Sequence, residues 1–160
     1  MTTQTKKTVS IRDTSSERLI TMLKTAMGPN IGSLLTDDGV IELMLNQDGR
    51  LWSDRLGTGR QDTGHTITPQ DAERIIRLVA TGTGTECNEL SPLLSAELPG
   101  AGSRFQGVLP PIVPAPIFTI RKKALLIFTL DDYVSQGIMT ERQKAAILEA
   151  VHTRRNILVT

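Results

Sequence analysis

The sequence is poor in aromatic residues and contains a single cysteine. Phe, Trp and Tyr together make up 3% of the 160 residues, so the core has to be built from aliphatic side chains. The lone Cys87 has no partner for an intrachain disulfide, which fits a reducing compartment. No apolar run approaches the roughly 20 residues that span a bilayer, and the lysines near the N-terminus precede no apolar segment. These absences predict a soluble cytosolic protein without a signal peptide.

The chain also lacks an excess of charge of either sign. Its formal net charge is +1, with 18 basic and 17 acidic residues. Domains that bind nucleic acid usually present a clustered basic face, and the composition gives no sign of one. A nucleic-acid-binding module is therefore disfavoured, and we predict no sequence-specific contact with DNA or RNA.

No motif in the sequence predicts a catalytic or metal site. His65, His152 and Cys87 do not stand at metal-ligand spacing, and no base partner is evident for the cysteine. The glycine-containing run 81–85 follows a predicted helix and lacks the Gly-Lys-Ser/Thr of a phosphate loop, so we interpret it as a helix end and a loop. We accordingly assign no catalytic residue, no metal ligand and no cofactor to these 160 residues alone.

The spacing of apolar residues and turn signals predicts a mixture of helices and short strands. Residues 1–15 are expected to form a flexible arm, and 57–64 a glycine-punctuated loop. Predicted strands cover 40–46, 51–55, 94–98, 104–109 and 117–122. Predicted helices cover 16–27, ended by Gly28-Pro29, then 31–35, 68–82, 129–134 and 140–153.

The C-terminal part of the sequence changes character after the last predicted strand. The helix that starts near Thr140 is expected to bury Ala146, Ile147, Ala150 and Val151. The apolar run 156–160 that follows is expected to be a strand whose sheet neighbours lie in further sequence, and therefore to be poorly anchored here.

Two arginines stand out because of their positions on predicted strands. Arg121 shares a strand face with Thr119, whereas Phe118 and Ile120 point to the other face, toward the core. Arg104 opens the preceding strand in a similar way. A guanidinium held clear of the core by a rigid strand suits a bidentate contact to phosphate. A solvated surface arginine is the alternative, and strand geometry alone does not decide between the two.

The order of these segments resembles the N-terminal half of the type IV secretion and conjugal-transfer traffic ATPases, especially the TrbB-type branch. The resemblance runs from about residue 34 to 160 and is strongest after Arg104. It is carried by Val40-Ile41-Glu42-Leu43-Met44-Leu45-Asn46, Leu51-Trp52, Arg104-Phe105, Pro110-Pro111, Ile120-Arg121-Lys122 and Asn156-Ile157-Leu158-Val159-Thr160. In that family, a strand similar to the last segment leads directly into the phosphate loop.

The resemblance implies an α+β fold, in which an antiparallel sheet with flanking helices forms a PAS-like N-terminal domain over residues 16–124. Residues 125–160 would then be a helical linker and the truncated first strand of a RecA-like ATPase domain. Nucleotide would lie between the two domains, and the arginines that reach its phosphates would be Arg104 and Arg121. The parent protein would bind ATP and Mg²⁺.

The resemblance also implies partners and a location. The parent protein would form a hexameric ring in the cytoplasm, peripheral to the inner membrane, where it would contact membrane components of the conjugation apparatus. Because residues 1–160 lack the phosphate loop, we expect no ATP hydrolysis from them alone. The alternative is a standalone, non-enzymatic domain that acts only through protein contacts.

Overall fold

The computed structural model describes residues 11–123 and 128–158. The chain divides into two compact units, with the division after Lys123. The first contains α1 (Ile11–Thr36), β1 (Val40–Leu45), β2 (Arg50–Arg55), β3 (Gly59–Thr66), α2 (Pro69–Thr83), β4 (Leu93–Glu97), β5 (Arg104–Val108) and β6 (Ile117–Arg121). The second contains α3 (Leu130–Ser135) and α4 (Glu141–His152). In the described residues, no helix is both long and apolar enough to cross a membrane.

The six strands form one sheet in the order β3-β2-β1-β6-β5-β4. Every neighbouring pair is antiparallel. The sheet therefore consists of two meanders, β1-β2-β3 and β4-β5-β6, joined along β1 and β6. Helix α2 connects β3 at one edge to β4 at the other edge. The predicted α+β class, with an antiparallel sheet and flanking helices, is confirmed.

The core lies between one face of the sheet and the two long helices. Helix α2 begins with Thr68, whose hydroxyl accepts a hydrogen bond from the backbone N–H of Asp71, and with Pro69 at the first helical position. The fully buried side chains of the unit are almost all aliphatic, as the composition predicted. The largest are Phe105, Ile31, Leu43, Leu51, Ile75, Ile76, Ile120 and Val79.

Strands β5 and β6 alternate between the two faces of the sheet. Phe105, Phe118 and Ile120 are buried on the helix-covered face, and the two phenyl rings stack with centroids 5.6 Å apart. Arg104 and Arg121 are exposed and lie on the opposite face. The predicted orientation of both arginines is confirmed, because a strand's side chains change face at every residue.

Three expectations for the first unit need correction. Residues 59–66, which overlap the predicted loop 57–64, form strand β3, because the stretch pairs with β2. The positive φ of Gly64 falls where the register between the two strands shifts. Helix α1 starts at Ile11, so residues 11–15 are helical and not an arm, while 1–10 lie outside the described residues. Helix α2 passes the predicted stop at Gly82 and ends at the left-handed Gly84.

The interruption of the first helix occurs where the sequence predicted it. Gly28 has φ 68° and ψ 179°, so the two helical stretches on either side of it are separated by a sharp kink. Only glycine adopts such a backbone without strain, and Pro29 cannot donate the helical hydrogen bond that would bridge the kink.

The second unit consists of two capped helices. Thr129 and Thr140 each form a capping box, with Asp132 and Gln143 respectively, as expected for the latter. Lys144 pairs with Asp131 and Glu141, which ties the two helices together.

The prediction of a buried stripe on the last helix is wrong. Ala146 and Val151 are exposed, and Ile147 and Ala150 are only partly buried. A helix buries an apolar face only against another element, and α3 is too short to cover it.

The part of the C-terminal run that the structure describes forms no strand, in line with the expectation that this run is poorly anchored here. Residues 156–158 have no regular structure and are exposed, while Val159 and Thr160 lie outside the described residues. A strand needs a neighbour to satisfy its backbone hydrogen bonds, and none pairs with residues 156–158 in the described chain.

The packing of α2 on the sheet leads to a prediction about Gly107. A Cβ at this position would lie 3.0 Å from Ile76 Cγ1 and 3.1 Å from Phe105 Cε1. We expect Gly107→Ala to lower the free energy of unfolding by about 1–3 kcal/mol, because the core is overpacked. Gly32→Ala is the matched control, since its Cβ meets nothing within 4 Å and alanine favours a helix. Urea denaturation measures the free energy of unfolding of both variants. Equal values would contradict the close packing of α2 on the sheet at Gly107.

A carboxylate at the end of α1 connects three parts of the first unit. Asp37 Oδ2 lies 2.6 Å from Arg55 Nη2, and its Oδ1 accepts from the N–H of Gly39 at 2.9 Å. Its backbone carbonyl accepts from Lys122 Nζ at 2.6 Å. The hydrogen bond from Arg55, followed by that from Gly39, lowers the pKa of Asp37 below the ordinary 3.8.

This lowered pKa predicts a pH dependence of stability. A depressed carboxyl pKa contributes stability above about pH 4, and that contribution is lost as pH falls through the folded-state value. Asp37→Asn should therefore lower the melting temperature at pH 7 but have a smaller effect near pH 2. Thermal melts across this range check the sign. A difference from wild type that stays constant down to pH 2 would contradict the role of the Asp37 carboxylate.

Candidate functional site

The two arginines singled out by the sequence stand directly opposite each other. In the antiparallel pair β5–β6, Arg104 is the register partner of Arg121. Opposed residues in such a pair have Cβ atoms about 5 Å apart. The sequence placed each arginine on a strand, and the sheet register brings them together on one face.

The two arginines belong to a row of charged side chains that crosses the whole sheet. Successive register partners, from β4 to β3, are Glu97, Arg104, Arg121, Glu42, Asp54 and Arg60. Each of these residues belongs to a different strand, and all six project from the face opposite the core helices. The row therefore presents two adjacent arginines with a glutamate on each outer side.

Neither arginine of the pair is neutralised by a direct contact. Among the described residues, no carboxylate lies within 4.0 Å of either guanidinium, whereas Arg50, Arg55, Arg77 and Arg155 each have an ion pair. Like charges directly opposite each other on a sheet are unfavourable. An oxyanion placed between the two guanidinium groups would relieve this repulsion and accept several charge-assisted hydrogen bonds.

The remaining polar groups offer less for catalysis. Cys87 is buried, and burial raises the pKa of its thiol, which keeps it protonated. No group of three His, Cys, Asp or Glu residues within 11–123 and 128–158 is placed to hold a metal ion. The run 81–85 is the end of α2, where the N–H of Gly84 bonds to Ala80 and Thr81, as the interpretation of a helix end required.

Sequence reasoning missed the glutamates of the row. Glu42 and Glu97 become neighbours of the arginines only through the register of β1 with β6 and of β4 with β5. Each strand was predicted, but the pairing of strands far apart in the chain has no local signal. The available hint was that every one of these strands carries a charged residue on its solvent face.

The exposure of the pair predicts that it contributes little to folding. We expect Arg104→Gln and Arg121→Gln each to change the free energy of unfolding by no more than about 0.5 kcal/mol. Arg55→Gln is the contrasting variant and should cost more, because it leaves the Asp37 carboxylate without its partner. Chemical denaturation of the three proteins decides this. A large loss with either exposed arginine would show that the pair is structural.

Comparison with known proteins gives relatives over almost the whole chain. No protein-family model matches it. The chain is 44% identical over 146 residues to the conjugal transfer protein TrbB of Rhizobium radiobacter, which covers 91% of this chain and 45% of that protein. A probable conjugal transfer protein TrbB of Sinorhizobium fredii is 42% identical over the same share of both chains. The chain thus spans about half the length of the curated relatives it matches.

The fold has a counterpart among solved structures. The VirB11 ATPase of the Brucella suis type IV secretion system, solved in complex with sulphate, superposes with a TM-score of 0.67. The match covers 88% of this chain and 45% of that chain at 20% identity, and therefore speaks for the fold. The six-stranded antiparallel sheet with its flanking helices matches the N-terminal domain of VirB11. With the close TrbB relatives, this shows that the chain belongs to the family of type IV secretion and conjugal-transfer ATPases, to whose N-terminal domain it corresponds.

Proposed function

We propose that this chain is the nucleotide-sandwiching and oligomerisation domain of a hexameric ATPase that powers conjugative DNA transfer or type IV secretion. Residues 16–124 are the N-terminal domain in this proposal, and 125–160 are the linker and the start of an ATPase domain. The longer protein binds ATP and Mg²⁺ between its two domains. This chain supplies arginines to the phosphates and does not hydrolyse ATP by itself.

The observation that carries the proposal is the Arg104–Arg121 pair. Both guanidinium groups project from the same sheet face, in register, without an ion-pair partner among the described residues. The planar guanidinium of arginine can donate two hydrogen bonds to the oxygens of one phosphate. Two arginines whose Cβ atoms are about 5 Å apart can bind adjacent phosphoryl groups. The VirB11 protein with the matching fold is an ATPase, and this supports a nucleotide as the anion.

The catalytic parts belong to the longer protein in this proposal. Phosphoryl transfer depends on a loop that cradles the phosphates and on a metal ion that neutralises the developing charge. Residues 1–160 contain no Gly-Lys-Ser/Thr sequence, and the described part holds no three-ligand metal cluster. The arginines of this chain act by binding and orienting the phosphates.

The partners follow from the same proposal. The protein assembles with copies of itself into a ring in the cytoplasm, at the inner membrane, and contacts membrane components of the secretion apparatus. Exposed apolar side chains on the second unit, including Leu148 and Val151 on α4, support burial against a further protein surface.

The kinetic consequence is measurable in the longer protein that contains this chain. We expect Arg104→Gln and Arg121→Gln each to lower kcat/KM for ATP by about tenfold to a hundredfold. A charge-assisted contact to phosphate contributes about 1.5–3 kcal/mol, and each 1.36 kcal/mol is roughly a factor of ten in rate. Steady-state phosphate release at several ATP concentrations measures the loss.

Arg60→Gln is the matched control for these two variants. Arg60 is an exposed strand arginine of the same row, but it lies three strand spacings, about 14 Å, from Arg121. It should leave the kinetics unchanged. Wild-type rates in the two site variants would contradict the nucleotide role and favour a domain that acts through protein contacts. The 160-residue chain alone should release no phosphate above background.

A further inference from the structure

We infer that Glu42 and Glu97 are positioning residues that compete with phosphate for the two arginines and thereby limit how tightly the site binds an anion. The inference rests on the proposed function, because it concerns the affinity of the Arg104–Arg121 pair for phosphate groups. It adds two residues, on β1 and β4, to a site that otherwise belongs to β5 and β6.

The register places one glutamate against the outer side of each arginine. Glu97 is the partner of Arg104 in β4–β5, and Glu42 is the partner of Arg121 in β1–β6. The four side chains thus stand in the order acid, base, base, acid, each about 5 Å from the next at Cβ. The arrangement is symmetric about the midpoint between the two arginines.

This order gives each guanidinium two competing neighbours. Turned outward, it approaches a carboxylate and moves away from the other positive charge. Turned inward, it faces the other guanidinium and is stable there only when an anion lies between them. No ion pair within 4.0 Å joins either glutamate to its arginine in the described residues, so the carboxylates are within reach without being engaged.

Removing a glutamate should therefore strengthen anion binding. The substitution removes the competing partner of the arginine and one negative charge that repels the anion. A damaged fold would weaken binding, so a gain in affinity separates this role from a structural one.

Asp54 provides a control carboxylate in the same row. It is the register partner of Glu42 on β2, one strand farther from the arginines, about 10 Å from Arg121. Asp54→Asn changes the net charge by the same amount as Glu42→Gln. At 0.1 M ionic strength the Debye length is about 10 Å, so its effect on an anion at the arginines is largely screened.

The inference can be tested by titrating the 160-residue chain with inorganic pyrophosphate. The arginine side-chain N–H signals, followed by NMR, give the dissociation constant. We expect Glu42→Gln and Glu97→Gln each to tighten binding about threefold to tenfold, as for loss of one neighbouring charge near a protein surface. Asp54→Asn should change it less than about twofold. In an Arg121→Gln background, the gain from Glu42→Gln should disappear.

The outcomes separate the inference from the proposal beneath it. If Arg121→Gln weakens pyrophosphate binding but Glu42→Gln and Asp54→Asn have equal effects, the positioning role is wrong and the phosphate site stands. If pyrophosphate binding is unaffected by Arg121→Gln, the phosphate site itself is wrong, and the inference falls with it. Glu97, which is exposed, provides a second variant should Glu42→Gln fail to fold.

Discussion

The structure depends on the register between β5 and β6, because that pairing sets what both faces of the sheet present. On the covered face it stacks Phe105 against Phe118 and places Ile120 beneath the helices. On the other face it puts Arg104 beside Arg121. A slip of β6 by one residue would turn Arg121 toward the core and Phe118 toward solvent. The hydrophobic core therefore fixes the position of the charged pair, although the pair itself adds no packing.

Charges in the first unit serve two distinct purposes. Arg55 and Lys122 both donate hydrogen bonds to Asp37 and connect the end of α1 to the sheet. Arg104 and Arg121 have no such partners in the described chain and face each other at an energetic cost. Two adjacent arginines without carboxylate partners favour the binding of an anion. The hydrophobic core can offset the repulsion between this one pair of like charges.

Much of this architecture was predictable from local signals. Thr68-Pro69 marked the start of α2, Gly28-Pro29 marked the kink in α1, and strict alternation showed which way Arg121 points. Strand β3 was missed because its glycines are typical of a loop. Its pairing with β2 stabilises a stretch that has a low intrinsic preference for a strand. The neighbours Glu42 and Glu97 were not found, since register between distant strands is set by the whole core. The apolar residues of α4 were expected to be buried, but α3 is too short to cover them.

The central claim is that Arg104 and Arg121 contact the phosphates of a nucleotide. The most direct test is a crystal structure of the longer protein with a non-hydrolysable ATP analogue and Mg²⁺. The account predicts that guanidinium nitrogens of both residues lie about 2.7–2.9 Å from phosphate oxygens, the distance of a charge-assisted hydrogen bond. A nucleotide bound in full while both arginines remain turned to solvent would contradict it.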